Sequence, residues 1–135
     1  MIAMISGHRD LTKDEFDAQY APHILSALAS SHDFVVGDAP GADEMAQALL
    51  KKWSPILNPA ARVCVYHVLT IPRHNAGFDT KRGYTSNTAK DAAMTQDSDY
   101  DILYIRPEKH SSQSGRVSGT EANQIRRKAK AMGQG

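Results

Sequence analysis

The chain predicts an α/β fold: one doubly wound, mainly parallel sheet with helices on both faces. Three observations predict it. Short apolar runs alternate with longer amphipathic stretches in the order β-α-β-α-β-α-β-α, the order that parallel βαβ units require. Glycine-punctuated turns join strand to helix at Ile5-Ser6-Gly7-His8-Arg9 and at Val36-Gly37-Asp38-Ala39-Pro40-Gly41-Ala42-Asp43. A length of 135 residues accommodates a sheet between two helical layers but no second core, so residues 1–135 read as a single domain. The expected plan is Rossmann-like.

Each element has its own signal. Ile2 to Ser6 reads as the first strand. Thr12-Lys13-Asp14-Glu15 is a capping-box pattern, opening a helix whose Phe16, Tyr20, Ile24 and Leu28 recur every four positions. Pro22 breaks or restarts that helix, because its ring cannot sit in an undisturbed ladder. Phe34 to Gly37 is the second strand. Ala42, Met45, Ala46, Leu49, Leu50 and Trp53 then share one helical face, and Ser54-Pro55 ends the helix. Arg62 to Val68 is the third strand. Residues 70–85 read as a long loop; Arg73, His74, Lys81, Arg82 and Tyr84 there are either the side chains of a lid or simply solvated. A helix over 86–96 and a fourth strand from Asp101 to Ile105 follow. Pro107 to Gly115 reads as a second polar loop. Ser118-Gly119-Thr120-Glu121 is another capping box, opening a last helix with Ala122, Ile125, Ala129 and Met132 on one face and Arg126, Arg127, Lys128 and Lys130 on the wet one.

Composition excludes several classes. Hydrophobic content of 41% with 23% charged residues is a globular balance, not a disordered one. No apolar run approaches the ~20 residues of a membrane span, so a cytoplasmic protein without a membrane partner is expected. Cys64, the single cysteine, rules out an intrachain disulfide and a cysteine-rich zinc site, and its β-branched neighbours make it a buried strand thiol. Six histidines lie scattered without ligand spacing, so neither a metal nor a cofactor is expected. The net charge of +1 lacks the basic excess of a nucleic-acid module. It is nonetheless uneven: residues 1–50 hold eight acids and two bases, residues 105–135 two acids and seven bases.

The strand-to-helix turns hold the candidate site. Gly7, Gly37, Gly41 and Gly119 let backbone approach a phosphate or sugar, unless they serve only sharp turns. Asp38 and Asp43 are the candidate catalytic carboxylates and candidate acceptors for ribose hydroxyls; the plainer reading is helix capping. Arg9 is a phosphate candidate, or else a salt bridge to Asp10. Arg116 stands beside the N–H groups that open the last helix, with Ser118 and Thr120 adding hydroxyls. Ser6, His8 and Ala39 complete the expected ligand-binding set.

Ser6-Gly7-His8-Arg9-Asp10 resembles the first-strand loop xSGxRxx of the SLOG superfamily, which includes the LOG-type phosphoribohydrolases and the YpsA-like and DprA proteins. Val36 to Asp43 is similar to its GxAxGaD loop, and Arg116-Val117-Ser118-Gly119-Thr120 to its closing R-x-SGT turn. Asn87 to Met94 followed by Ser98 to Leu103 resembles the approach to the fourth strand, with Ser86 where the pattern has arginine. The resemblance implies a homo-oligomer whose partner is a nucleotide or nucleotide-derived small molecule, bound at the carboxyl edge of the sheet. Such a protein is a sensor or carrier, or a weak N-glycosidic hydrolase. Asn123 takes the place of the LOG-type catalytic glutamate, and an amide cannot serve as a carboxylate base. The alternatives are DprA-like single-stranded nucleic-acid binding and base exchange of the nucleoside deoxyribosyltransferase kind.

Overall fold

The computed structural model describes residues 1–107 and 119–133. Its elements are β1 (Ile2–Ile5), α1 (Lys13–Gln19), α2 (Ala21–Ala29), β2 (Asp33–Val36), α3 (Ala42–Leu57), β3 (Val63–Tyr66), β4 (Asp79–Lys81), α4 (Asn87–Gln96), β5 (Tyr100–Ile102) and α5 (Gly119–Ala131). The five strands form one all-parallel sheet in the order β4-β3-β2-β1-β5. The fold is therefore α/β and Rossmann-like. From β1 the chain steps outward to β4, then returns to place β5 on the other flank of β1. Strand order thus reverses between β1 and β5, and a crevice opens beyond their carboxyl ends.

Alternation along each strand sorts the core into two layers. Ala3, Ile5, Phe34, Val36, Val63, Val65 and Ile102 face α1–α3, meeting Phe16, Ile24, Leu28, Ala46 and Leu50. Met4, Val35 and Tyr66 face the other way, onto Met94 of α4. Both capping-box bonds of Thr12 and Glu15 form, at 3.1 and 3.0 Å. Pro22 lies in the first turn of α2, where its missing N–H costs nothing, and so it restarts the helix after Tyr20. Among the described residues no helix is long and apolar enough to cross a membrane.

Five expectations change. Pro55 does not end α3, which runs on to Leu57. The proline forfeits a single bond in the last turn, and the Asn58 N–H closes that turn on the Ser54 carbonyl at 2.9 Å. The loop at 70–85 contains the edge strand β4, parallel to β3 and exposed throughout. The third and fourth predicted strands are shorter than expected, ending at Tyr66 and Ile102. On α5 the apolar stripe is not the buried face: Ile125 is 57% and Met132 72% exposed, while Thr120 and Asn123 are buried. The basic residues there are not all wet either. Arg127 bonds Asp101 and the Ser98 hydroxyl, and Lys130 donates to the carbonyls of Thr95, Gln96 and Ser98. These cations dock α5 on the carbonyl-rich end of α4, where the helix dipole favours them.

Candidate functional site

Two loops build one wall of the crevice by locking together. Gly41 caps α3 with φ 80° and ψ −122°, a conformation that suits glycine alone. A Cβ there would lie 2.3 Å from the Arg9 carbonyl oxygen and 2.5 Å from that of His8. The Ala42 N–H donates to the His8 carbonyl at 3.2 Å. Tyr20, fully buried, ties the strand ends at the switch point: its hydroxyl donates to the Ser6 carbonyl and accepts from the Tyr104 N–H, each at 2.9 Å. Burial raises the Tyr20 pKa to about 12, so the hydroxyl stays a donor.

Above these loops lies a cleft of about 520 Å³. Of the residues singled out in the sequence, Ser6, Gly7, His8, Arg9, Gly37, Ala39, Asp43, Gly119 and Thr120 line it. Gly41 stands behind them as the cap. Asp38 is buried behind the cleft lining and held by Arg73, whose backbone N–H and guanidinium each donate to it at 2.8 Å. Burial alone would raise its pKa, but these Arg73 bonds outweigh burial and hold the carboxyl below its ordinary value. Arg116 and Ser118 lie outside the described residues. Arg9 does not pair with Asp10, which instead accepts from Arg106 at 2.8 Å.

Asp43 has a different environment. Its Oδ2 accepts the Ala39 N–H at 3.1 Å. Burial pushes its pKa up to about 7, although Lys90 and that N–H pull it down. Gly37 makes the room: a Cβ there would lie 2.5 Å from Asp43 Oδ2 and 3.3 Å from Lys90 Nζ. Lys90 is itself buried, with Asp91 Oδ1 at 3.6 Å. Desolvation raises the Asp91 pKa, opposed by Lys90, Arg126 and a hydrogen bond from Asn123. Arg126 in turn donates to Asn123 Oδ1 at 2.6 Å. A polar chain therefore runs along the cleft from Asp43 through Lys90, Asp91 and Asn123 to Arg126, crossing three helices. Ser6, 8% exposed, follows β1 at the same cleft, and its Oγ has no partner among the described residues.

Asn87, Thr88, Lys90, Asp91 and Arg126 line the cleft but were not read as site residues. For Lys90 a signal existed: it precedes Met94 by four residues, on the buried face of α4. The lid set divides. Arg73 reaches the cleft, whereas Tyr84 stacks on Tyr66 with centroids 5.9 Å apart and Lys81 bonds Asp97 at 3.1 Å. Gln47 holds the loop near Arg73, its amide bonding the Gly37 and His74 carbonyls and the Ala76 N–H. His74 approaches Glu44 at 3.5 Å, on the solvent side of α3. Cys64 is a half-buried free thiol whose pKa burial pushes up. Among the described residues no three His, Cys, Asp or Glu side chains gather as a metal-ligand set.

Set against protein-family models, curated proteins and solved structures, the chain finds no match.

Proposed function

We propose that the cleft binds a nucleotide or nucleotide-derived small molecule. The observation that carries the reading is the cleft's own chemistry at the strand-order reversal. Arg9, Arg73, Lys90 and Arg126 converge there with the first turns of α4 and α5, in a volume typical of small-molecule sites. That chemistry suits a phosphate, and Asp43 and the Ser6 hydroxyl suit a sugar hydroxyl. The likeness of the two loops to the SLOG superfamily selects nucleotides among phosphorylated small molecules.

A second reading, N-glycosidic cleavage, rests on Asp43. A carboxyl with a pKa of about 7 is poised for acid–base work at neutral pH. Asp43 is a stronger candidate than Asp38 for this role, since Arg73 occupies Asp38. Thermal melting against nucleoside mono-, di-, tri- and cyclic phosphates, followed by chromatography for free base, tests both readings. Ligand at 100 times its Kd adds about 2.7 kcal/mol, a shift of several degrees. A shift with intact ligand identifies a sensor or carrier. Released base that disappears in Asp43→Asn identifies a hydrolase. No shift with any nucleotide removes the binding reading, and a salt-steep response to oligonucleotides would replace it with nucleic-acid binding.

A further inference from the structure

Lys90 is 5% exposed at its side chain and stands among carboxylates in the cleft lining. Asp91 on its own helix lies 3.6 Å away. Asp43 of α3 shares with it the space over Gly37. Ser6 Oγ, enclosed in the same cleft, has no partner among the described residues. A buried hydroxyl left unpaired costs roughly 1–3 kcal/mol, which points to a ligand atom as its missing partner.

Building on the nucleotide reading, we propose that Lys90 seats an anionic oxygen of the ligand and that Asp43 takes up one proton as that anion enters. With both carboxylates ionised, the ammonium is already outweighed. A phosphate brought against Lys90 adds negative charge in a desolvated place, and protonation of one carboxylate relieves it. Several groups act on Asp43: Lys90 and Asp91 from α4, Asp38 from its own loop, Arg73 from the following loop, and Tyr20 between α1 and α2. Arg9 lines the cleft with it. Asp38 is kept ionised by Arg73, and Asp91 has Arg126 and Asn123 as well as Lys90. Asp43 has one backbone N–H bond, from Ala39, and no side-chain donor to set against its burial; Lys90 and Arg73 act on it only through their charge, so the proton goes there. It comes from the buffer.

Isothermal titration at pH 8 in buffers of different ionisation enthalpy, with AMP, ribose 5-phosphate and inorganic phosphate as probes, tests the coupling. At that pH the free phosphates are dianions and Asp43 is mostly ionised. Wild type is expected to absorb close to one proton per AMP bound. Asp43→Asn should bind AMP with heat independent of buffer. Lys90→Met should bind at least tenfold more weakly. Buffer-independent heat in wild type, or proton uptake that survives in Asp43→Asn, overturns the proposal and leaves the nucleotide reading standing. No binding of any probe to folded wild type overturns both.

Discussion

Replacing Gly41 by alanine tests whether the two loops form a rigid wall. The new Cβ would sit 2.3 Å from one backbone oxygen and 2.5 Å from another, in a residue with φ of 80°. Neither obstacle is the free end of a side chain, so a loop must move by about an ångström. Backbone strain at such a φ costs about 1–3 kcal/mol, and overpacking adds about 1–3 kcal/mol. The stiffer unfolded chain returns only about 0.4–1 kcal/mol. Destabilisation of about 1–5 kcal/mol is expected, a large part of the ~5–15 kcal/mol that holds a domain together. Urea unfolding followed by circular dichroism measures it. Gly83→Ala is the control, since Gly83 has φ of 105° and nothing within 4 Å of its Cβ position. It should lose only the strain part. Gly41→Ala within 0.5 kcal/mol of wild type, or no worse than Gly83→Ala, would refute the interlock.

Three further outcomes are expected. Tyr20→Phe removes the hydroxyl joining Ser6 and Tyr104; with one buried and one partly buried group left unpaired, roughly 1–3 kcal/mol should be lost in denaturant unfolding, and a loss under 0.5 kcal/mol would show the brace idle. Asp43 has a folded pKa raised to about 7, so ionising it opposes folding, and its contribution is lost as pH rises from about 4 through 7 and stays level above about 8. Asp43→Asn should therefore gain on wild type, by a few kcal/mol, between urea titrations at pH 5 and pH 8; an unchanged difference would contradict the raised pKa. Gln47→Leu frees the segment holding His74 and Ala76, so trypsin should cleave at Arg73 faster than in wild type, and equal rates would show that Gln47 does not hold it.

The wall of the cleft was legible because its loops are written in glycines and small polar residues at fixed spacing between apolar runs. Ser6 to Arg9 and Gly37 to Asp43 were found on that signal; Ser6, Gly7, His8, Arg9, Gly37, Ala39 and Asp43 line the cleft, and Asp38 and Gly41 stand behind it. The opposite wall carried no such mark. Lys90, Asp91 and Arg126 are charged residues on helices; Lys90 alone was marked, by its place four residues before Met94, and that spacing does not reveal the carboxylates that draw it inward. The β4 strand escaped because Asp79-Thr80-Lys81, exposed on the sheet edge, has no apolar alternation to announce it. The α5 stripe misled for the converse reason: helical periodicity gives a face, not its neighbour. What α5 meets at the end of α4 is a set of carbonyls, which select Arg127 and Lys130 rather than Ile125.

The most direct test of a nucleotide cleft beyond the carboxyl ends of β1 and β2, walled by α4 and α5, is a titration of the 15N-labelled protein with AMP, read by amide shifts. Binding should move Ser6 to Arg9, Ala39 to Asp43, Asn87 to Asp91 and Gly119 to Asn123 together, at one saturating concentration. Shifts gathered instead around His23, His32 and Tyr100, which line the separate groove beside β5, or no shifts at all, would contradict it.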